Sequence, residues 1–123
     1  MTIDMKKARF ILLSIALLFL VGVQEGQAQK KKSKLEVTVV DDLGDVVEDA
    51  KVSIYKSKMM FDKGNAPIYT EQTNKKGRVT FKNLAATEYY IAAIKGEKNN
   101  MGKSGRSGKL SKGKAKEINV MIE

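Results

Sequence analysis

Cysteine, histidine and tryptophan are absent from these 123 residues, and proline occurs once. Each absence excludes something. Without cysteine there is no disulfide, no thiol nucleophile and no thiolate for zinc or an iron–sulfur cluster. Without histidine the commonest general base and the commonest transition-metal ligand are gone. Carboxylates remain, and they bunch: Asp41, Asp42, Asp45, Glu48 and Asp49 fall in one loop. Glycoside hydrolysis needs two carboxyl groups placed across a cleft, which a single turn does not supply. Calcium would suit these oxygens better, but the D-x-D-x-D-G spacing that wraps the ion is missing. Turn chemistry accounts for the cluster, because Asp side chains bond the local backbone and Gly44 allows positive φ. No Gly-rich phosphate loop follows a strand and opens a helix. The sequence reads as non-enzymatic, with no catalytic residue, no cofactor and no metal site.

A long apolar run is also lacking. Phe10 to Val23 is apolar over 14 residues, short of the roughly 20 that span a bilayer. Lys6, Lys7 and Arg9 precede it, and Gly26-Gln27-Ala28 follows. That order of charge, apolar run and small residues is a secretory signal peptide, cut after Ala28. With no cysteine after the run, lipid cannot be attached there. The expected product is periplasmic or secreted, with no transmembrane segment after cleavage. The domains expected are a signal peptide over 1–28, a basic flexible arm over 29–33 with Lys30, Lys31 and Lys32, and one domain over 34–123. The net charge is +9, and removing the signal lowers it by one. About 95 residues suffice for one apolar core and not for two.

In that domain, Leu35, Val37 and Val39 alternate with Glu36 and Thr38, a period of two that puts apolar side chains on one face of a strand. Asp41 to Asp49 break the pattern, and Ala50, Val52 and Ile54 resume it. Met59, Met60 and Phe61 are adjacent, which suits a short helical turn ended by Gly64 and laid over an open end of the core. Pro67 opens a further strand to Thr73, as an edge position allows. Asn74-Lys75-Lys76-Gly77 reads as a tight hairpin turn onto Arg78 to Phe81. Tyr89, Ile91 and Ala93 alternate with Tyr90, Ala92 and Ile94, so both faces of that strand are apolar and it is central. Ile118, Val120 and Ile122 close the chain. The fold class expected is all-β: a seven-stranded antiparallel Greek-key sandwich preceded by the signal helix, with strands near 34–40, 50–56, 67–73, 77–82, 88–95, 103–110 and 115–122.

The pattern V-x-V-x-D-x-x-G-x-x-V-x-x-A-x-V-x-I, on Val37, Val39, Asp41, Gly44, Val47, Ala50, Val52 and Ile54, resembles the first two strands of carboxypeptidase regulatory-like domains. These are small transthyretin-like sandwiches, found in exported Bacteroidetes-type proteins. Thr73, Asn74, Gly77, Val79, Phe81 and Leu84, then Tyr89 and Ile91, match the next strands, while Thr87 or Glu88 stands where the family has Gly. The resemblance implies a fold and a non-catalytic role in contacting carbohydrate or protein. Peptidase activity does not follow from it, since zinc ligands are lacking. Related adhesin domains form a Lys–Asn crosslink. The lysine and acid positions fall near Val39 and Ala93 here, both apolar, so the expectation is that none forms.

Lys95 to Lys116 is rich in glycine and lysine. It reads as a solvated hairpin with an irregular edge strand. Its functional alternative is an anion or glycan site on Lys95, Asn99, Asn100, Lys103 and Arg106, with Tyr90 as a ring against a sugar. The functions weighed are two. The leading one is an exported binding or scaffold module of the cell envelope that meets an envelope protein or glycan in trans. The other is a cationic protein held electrostatically to acidic polysaccharide or anionic lipid. Nucleic acid is not expected as a partner, because no aromatic platform interleaves the basic segment.

Overall fold

Apolar residues spaced by two and separated by turns build a sandwich of two sheets. The structure, a computed structural model, describes residues 32–101, 103 and 105–123; the segment read as a signal peptide lies outside them. The strands are β1 (Ser33–Val40), β2 (Lys51–Tyr55), β3 (Tyr69–Gln72), β4 (Arg78–Leu84), β5 (Tyr90–Lys95), β6 (Lys98–Asn99) and β7 (Ala115–Met121), with one helix, α1 (Lys58–Lys63), between β2 and β3. One sheet has the order β4-β1-β7 and the other β3-β2-β5-β6. Their facing sides share one core. Leu35, Val37, Val39, Val79, Phe81, Val120 and Ile122 meet Val52, Ile54, Tyr89, Ile91 and Ala93 across it. Leu84 is buried at its end.

Several expectations are corrected. The sandwich is not antiparallel throughout: β1 and β7 pair in parallel, from Lys34↔Ala115 to Val40↔Met121. First and last strands can lie side by side this way because the whole intervening chain serves as the crossover that parallel strands require. The turn at Asn74–Gly77 forms as read: Gly77 takes φ +73°, and its N–H donates to the Asn74 carbonyl at 2.8 Å. It does not join a hairpin, however. β3 pairs with β2 and β4 with β1, so the turn carries the chain from one sheet to the other. Ser33, read as part of the arm, is the first residue of β1; it is fully buried and its hydroxyl donates to the Ser111 carbonyl at 2.7 Å.

The acidic loop is held from both ends. Asp41 Oδ1 accepts the N–H groups of Leu43 at 2.9 Å and Asp45 at 3.0 Å, closing its own turn. These backbone donors, that of Asp45 foremost, hold the Asp41 carboxyl below the usual range. Thr73 is buried; its hydroxyl donates to the Val47 carbonyl at 2.6 Å and accepts the Ala50 N–H at 2.9 Å. Among the described residues no three His, Cys, Asp or Glu side chains converge on a metal-sized site, and no helix is long and apolar enough to cross a membrane.

Candidate functional site

The expected strand over 103–110 is replaced by something less regular. Glycines at 105 and 108 deprive that stretch of side chains to pack and favour bends. The edge of β5 still carries N–H and C=O groups that need partners. β6 covers only its end, Ile94 and Lys95. Beyond it a side chain takes over the ladder. Asn100 Oδ1 accepts the Ala93 N–H at 2.9 Å, and Asn100 Nδ2 donates to the Ile91 carbonyl at 2.8 Å. The Gly105 carbonyl then accepts the Ile91 N–H at 2.6 Å. Ser107 completes the series: its Oγ accepts the Tyr89 N–H at 2.9 Å and its N–H donates to the Tyr89 carbonyl at 2.9 Å. Three groups of β5, and both backbone groups of Tyr89 just before it, are satisfied by a segment that is not a strand.

This arrangement corrects one site residue. Asn100 is 1% exposed and spends its amide on the β5 backbone, so its side chain is a strut and not a ligand contact. Asn99 is similarly occupied: it pairs with Ile94, and its Oδ1 accepts the Met101 N–H at 2.9 Å. Lys95 is exposed at another depression, with Asp41, Glu48, Glu97 and Lys98. The six residues therefore do not form one site.

Three of them do come together. Because Gly105 sits tight against β5, the next residue, Arg106, bridges to Tyr90. Its guanidinium lies 5.7 Å from the centre of the Tyr90 ring, a cation–π distance. From the other direction comes α1, which does not cap an open end but lies on the outer face of the second sheet. Ser57 Oγ caps it by accepting the Met60 N–H at 3.2 Å, and Gly64 ends it at φ +60°. Its one buried residue is Phe61, which meets Tyr90 at 6.2 Å between ring centres and Tyr55 edge-on at 6.0 Å. Tyr55, Phe61 and Ala92 form a second small apolar cluster with Tyr90 against it. Met59 and Met60 are left exposed.

Between α1 and the 103–106 segment lies an open cleft of about 300 Å³, lined by Lys58, Phe61, Asp62, Tyr90, Lys103, Gly105 and Arg106. Tyr90 is half-buried and lines the cleft with Phe61 leaning on its ring and Arg106 above it. Each cation on the rim already has a carboxylate. Lys58 Nζ reaches Asp62 at 2.8 Å, Arg106 reaches Glu88 at 3.2 Å, and Lys103 contacts Glu123. These partners raise the pKa of Lys58 and of Arg106, each first through the side-chain hydrogen bond. The rim is thus charge-balanced and rich in donors and acceptors around an aromatic floor. Sequence reading named Tyr90, Lys103 and Arg106 and, separately, Phe61. It missed Lys58 and Asp62, whose i, i+4 spacing on a predicted helical turn was the available signal.

No curated protein matches the sequence. Solved structures with the same fold include the TIE protein of Bacillus anthracis (TM-score 0.56, 18% identity, covering 75% of this chain and 16% of that one). Catechol 1,2-dioxygenase of Acinetobacter radioresistens is similar at TM-score 0.51 and 10% identity, over 81% of this chain and 54% of the enzyme. BcpA, the major pilin subunit of Bacillus cereus, is similar at TM-score 0.50 and 12% identity, over 76% of this chain and 30% of that one. The chain spans between 16% and 54% of the lengths of these proteins, and likeness at such identity is likeness of fold, which hosts many functions. The profile of the DR_A0283-like, Ig-like domain family matches residues 27–122, more than three quarters of the chain, and the protein belongs to that family.

Proposed function

We propose that this Ig-like domain is a non-catalytic binding or scaffold module of a bacterial envelope, which meets a glycan or an envelope protein in trans through the Phe61–Tyr90–Arg106 cleft. The carboxypeptidase regulatory-like resemblance and the signal-peptide pattern at 1–28 support the same reading. The observation that carries it is the balanced rim: Lys58, Lys103 and Arg106 each face a carboxylate, above aromatic rings. A site of this kind favours a neutral, hydroxyl-rich or amphipathic ligand, which exploits both aromatic surface and paired hydrogen-bonding groups. It is a poor trap for a polyanion, because the cations are already neutralised. Salt separates the two. Electrostatic capture weakens steeply with ionic strength, while aromatic and hydrogen-bonded contact does not. The test is capture from solubilised envelope by the purified protein at low and at high salt. A partner retained at high salt is the expected result. Capture only at low salt, or none at either, overturns the reading.

A further inference from the structure

The balanced cleft leaves the excess positive charge to be explained, and the fold gathers it at one end of the sandwich. β1 starts there, β7 starts beside it in parallel, and β4 ends there at Leu84 against Ser33. The loop before β7 is tied to the same end: the Lys34 N–H donates to the Lys114 carbonyl, the Lys114 N–H to that of Ser111, and the Leu110 N–H to that of Thr87. Lys34, Lys82, Lys109, Lys112, Lys114 and Lys116 are all exposed. Among the described residues, none of the six is in an ion pair. Glu36 and Glu117 face each other one rung further in. The opposite end is mixed: Lys51, Lys75, Lys76 and Lys98 stand there among the carboxylates of the 41–49 loop and Glu97.

We propose that this lysine end is a membrane-facing surface that binds the anionic headgroups of lipids. Lysine ammonium groups on flexible stems are point charges without bidentate geometry, which suits a planar, laterally mobile layer of charge. The depression on this end is lined by Ala86, Lys109, Leu110, Ser111 and Lys112. It has no aromatic ring and no planar amide or guanidinium to read a sugar. The chain also enters the sandwich here. A cluster of this size next to a chain entry point is the composition of a polybasic lipid contact.

The test is co-sedimentation of the full chain with vesicles of phosphatidylglycerol and phosphatidylcholine, against pure phosphatidylcholine vesicles, which account for the apolar run Phe10–Val23. The triple variant Lys109→Gln, Lys112→Gln, Lys114→Gln is expected to lose the phosphatidylglycerol-dependent affinity on the order of a hundredfold. The triple variant Lys51→Gln, Lys75→Gln, Lys76→Gln has the same net charge at the other end and is expected to keep it within about threefold. Equal losses in the two variants would mean that net charge and not placement acts, and would overturn the proposal. So would the absence of any phosphatidylglycerol preference, or tighter binding per anionic group to alginate than to the vesicles. All six substituted lysines lie outside the cleft, so this result is independent of the reading given to it.

Discussion

Asn100→Ala is expected to destabilise the domain by about 2–4 kcal/mol and to lower its melting temperature by roughly 10–30 °C. The substitution removes a side chain that is 1% exposed and strands two backbone groups of β5, the Ala93 N–H and the Ile91 carbonyl. Each buried polar group left without a partner costs about 1–3 kcal/mol. Neither can recover a strand partner, because β6 ends at Asn99 and the chain bends away at Asn100, where the Lys103 N–H closes a turn onto its carbonyl. A domain of this size holds only about 5–14 kcal/mol in total, so the loss is a large share. Urea unfolding of the variant at neutral pH measures it. A change below about 1 kcal/mol would show that the amide is not part of the β5 ladder.

Gly105→Ala is expected to cost about 2–5 kcal/mol through a different route. A Cβ at this position would stand 2.2 Å from the Ile91 carbonyl oxygen and 2.6 Å from Asn100 Nδ2. Neither can yield cheaply: one is backbone of a strand paired to β2 on its other side, the other a buried amide held at both ends. The segment must move off β5, and the Ile91 N–H then loses the Gly105 carbonyl. Overpacking alone costs about 1–3 kcal/mol, and the lost buried bond adds to it. Because both variants act on the Ile91 carbonyl, their effects should not add. In Asn100→Ala the Nδ2 contact is gone, so the double variant is expected to be less destabilised than the sum by about 0.5–2 kcal/mol. Gly105→Ala should also pull Arg106 off the Tyr90 ring and open the cleft. A variant as stable as the parent would mean that the 103–107 segment is not seated on β5.

The reach of the sequence can be traced through particular residues. The strands that line the core were legible because Leu35-Val37-Val39, Val52-Ile54, Val79-Phe81 and Ile91-Ala93 alternate, and burial on one face forces that period. The Asn74–Gly77 turn was legible from its residue types. Which strands pair was not, since pairing depends on contacts far apart in the chain. Hence the parallel β1–β7 ladder and the sheet switch between β3 and β4 came only with the structure. The edge position of β3 was legible from Pro67, and Tyr69–Gln72 stands at the edge of its sheet, exposed throughout. The 103–110 stretch was misread for a physical reason. A side-chain amide and a serine hydroxyl supply what a strand would have supplied, and no hydrophobic period marks such a substitution. Tyr90 and Phe61 were each noticed, but 29 positions separate them, and only the seating of α1 on β5 makes them one floor.

Binding to a glycan array at low and at high salt tests whether this floor, with its charge-balanced rim, is the contact site. The parent chain is expected to give signals that persist at high salt, and Tyr90→Ala to weaken them about tenfold, the value of one aromatic contact of roughly 1.4 kcal/mol. Signals that vanish at high salt, and that Tyr90→Ala leaves unchanged, would contradict it.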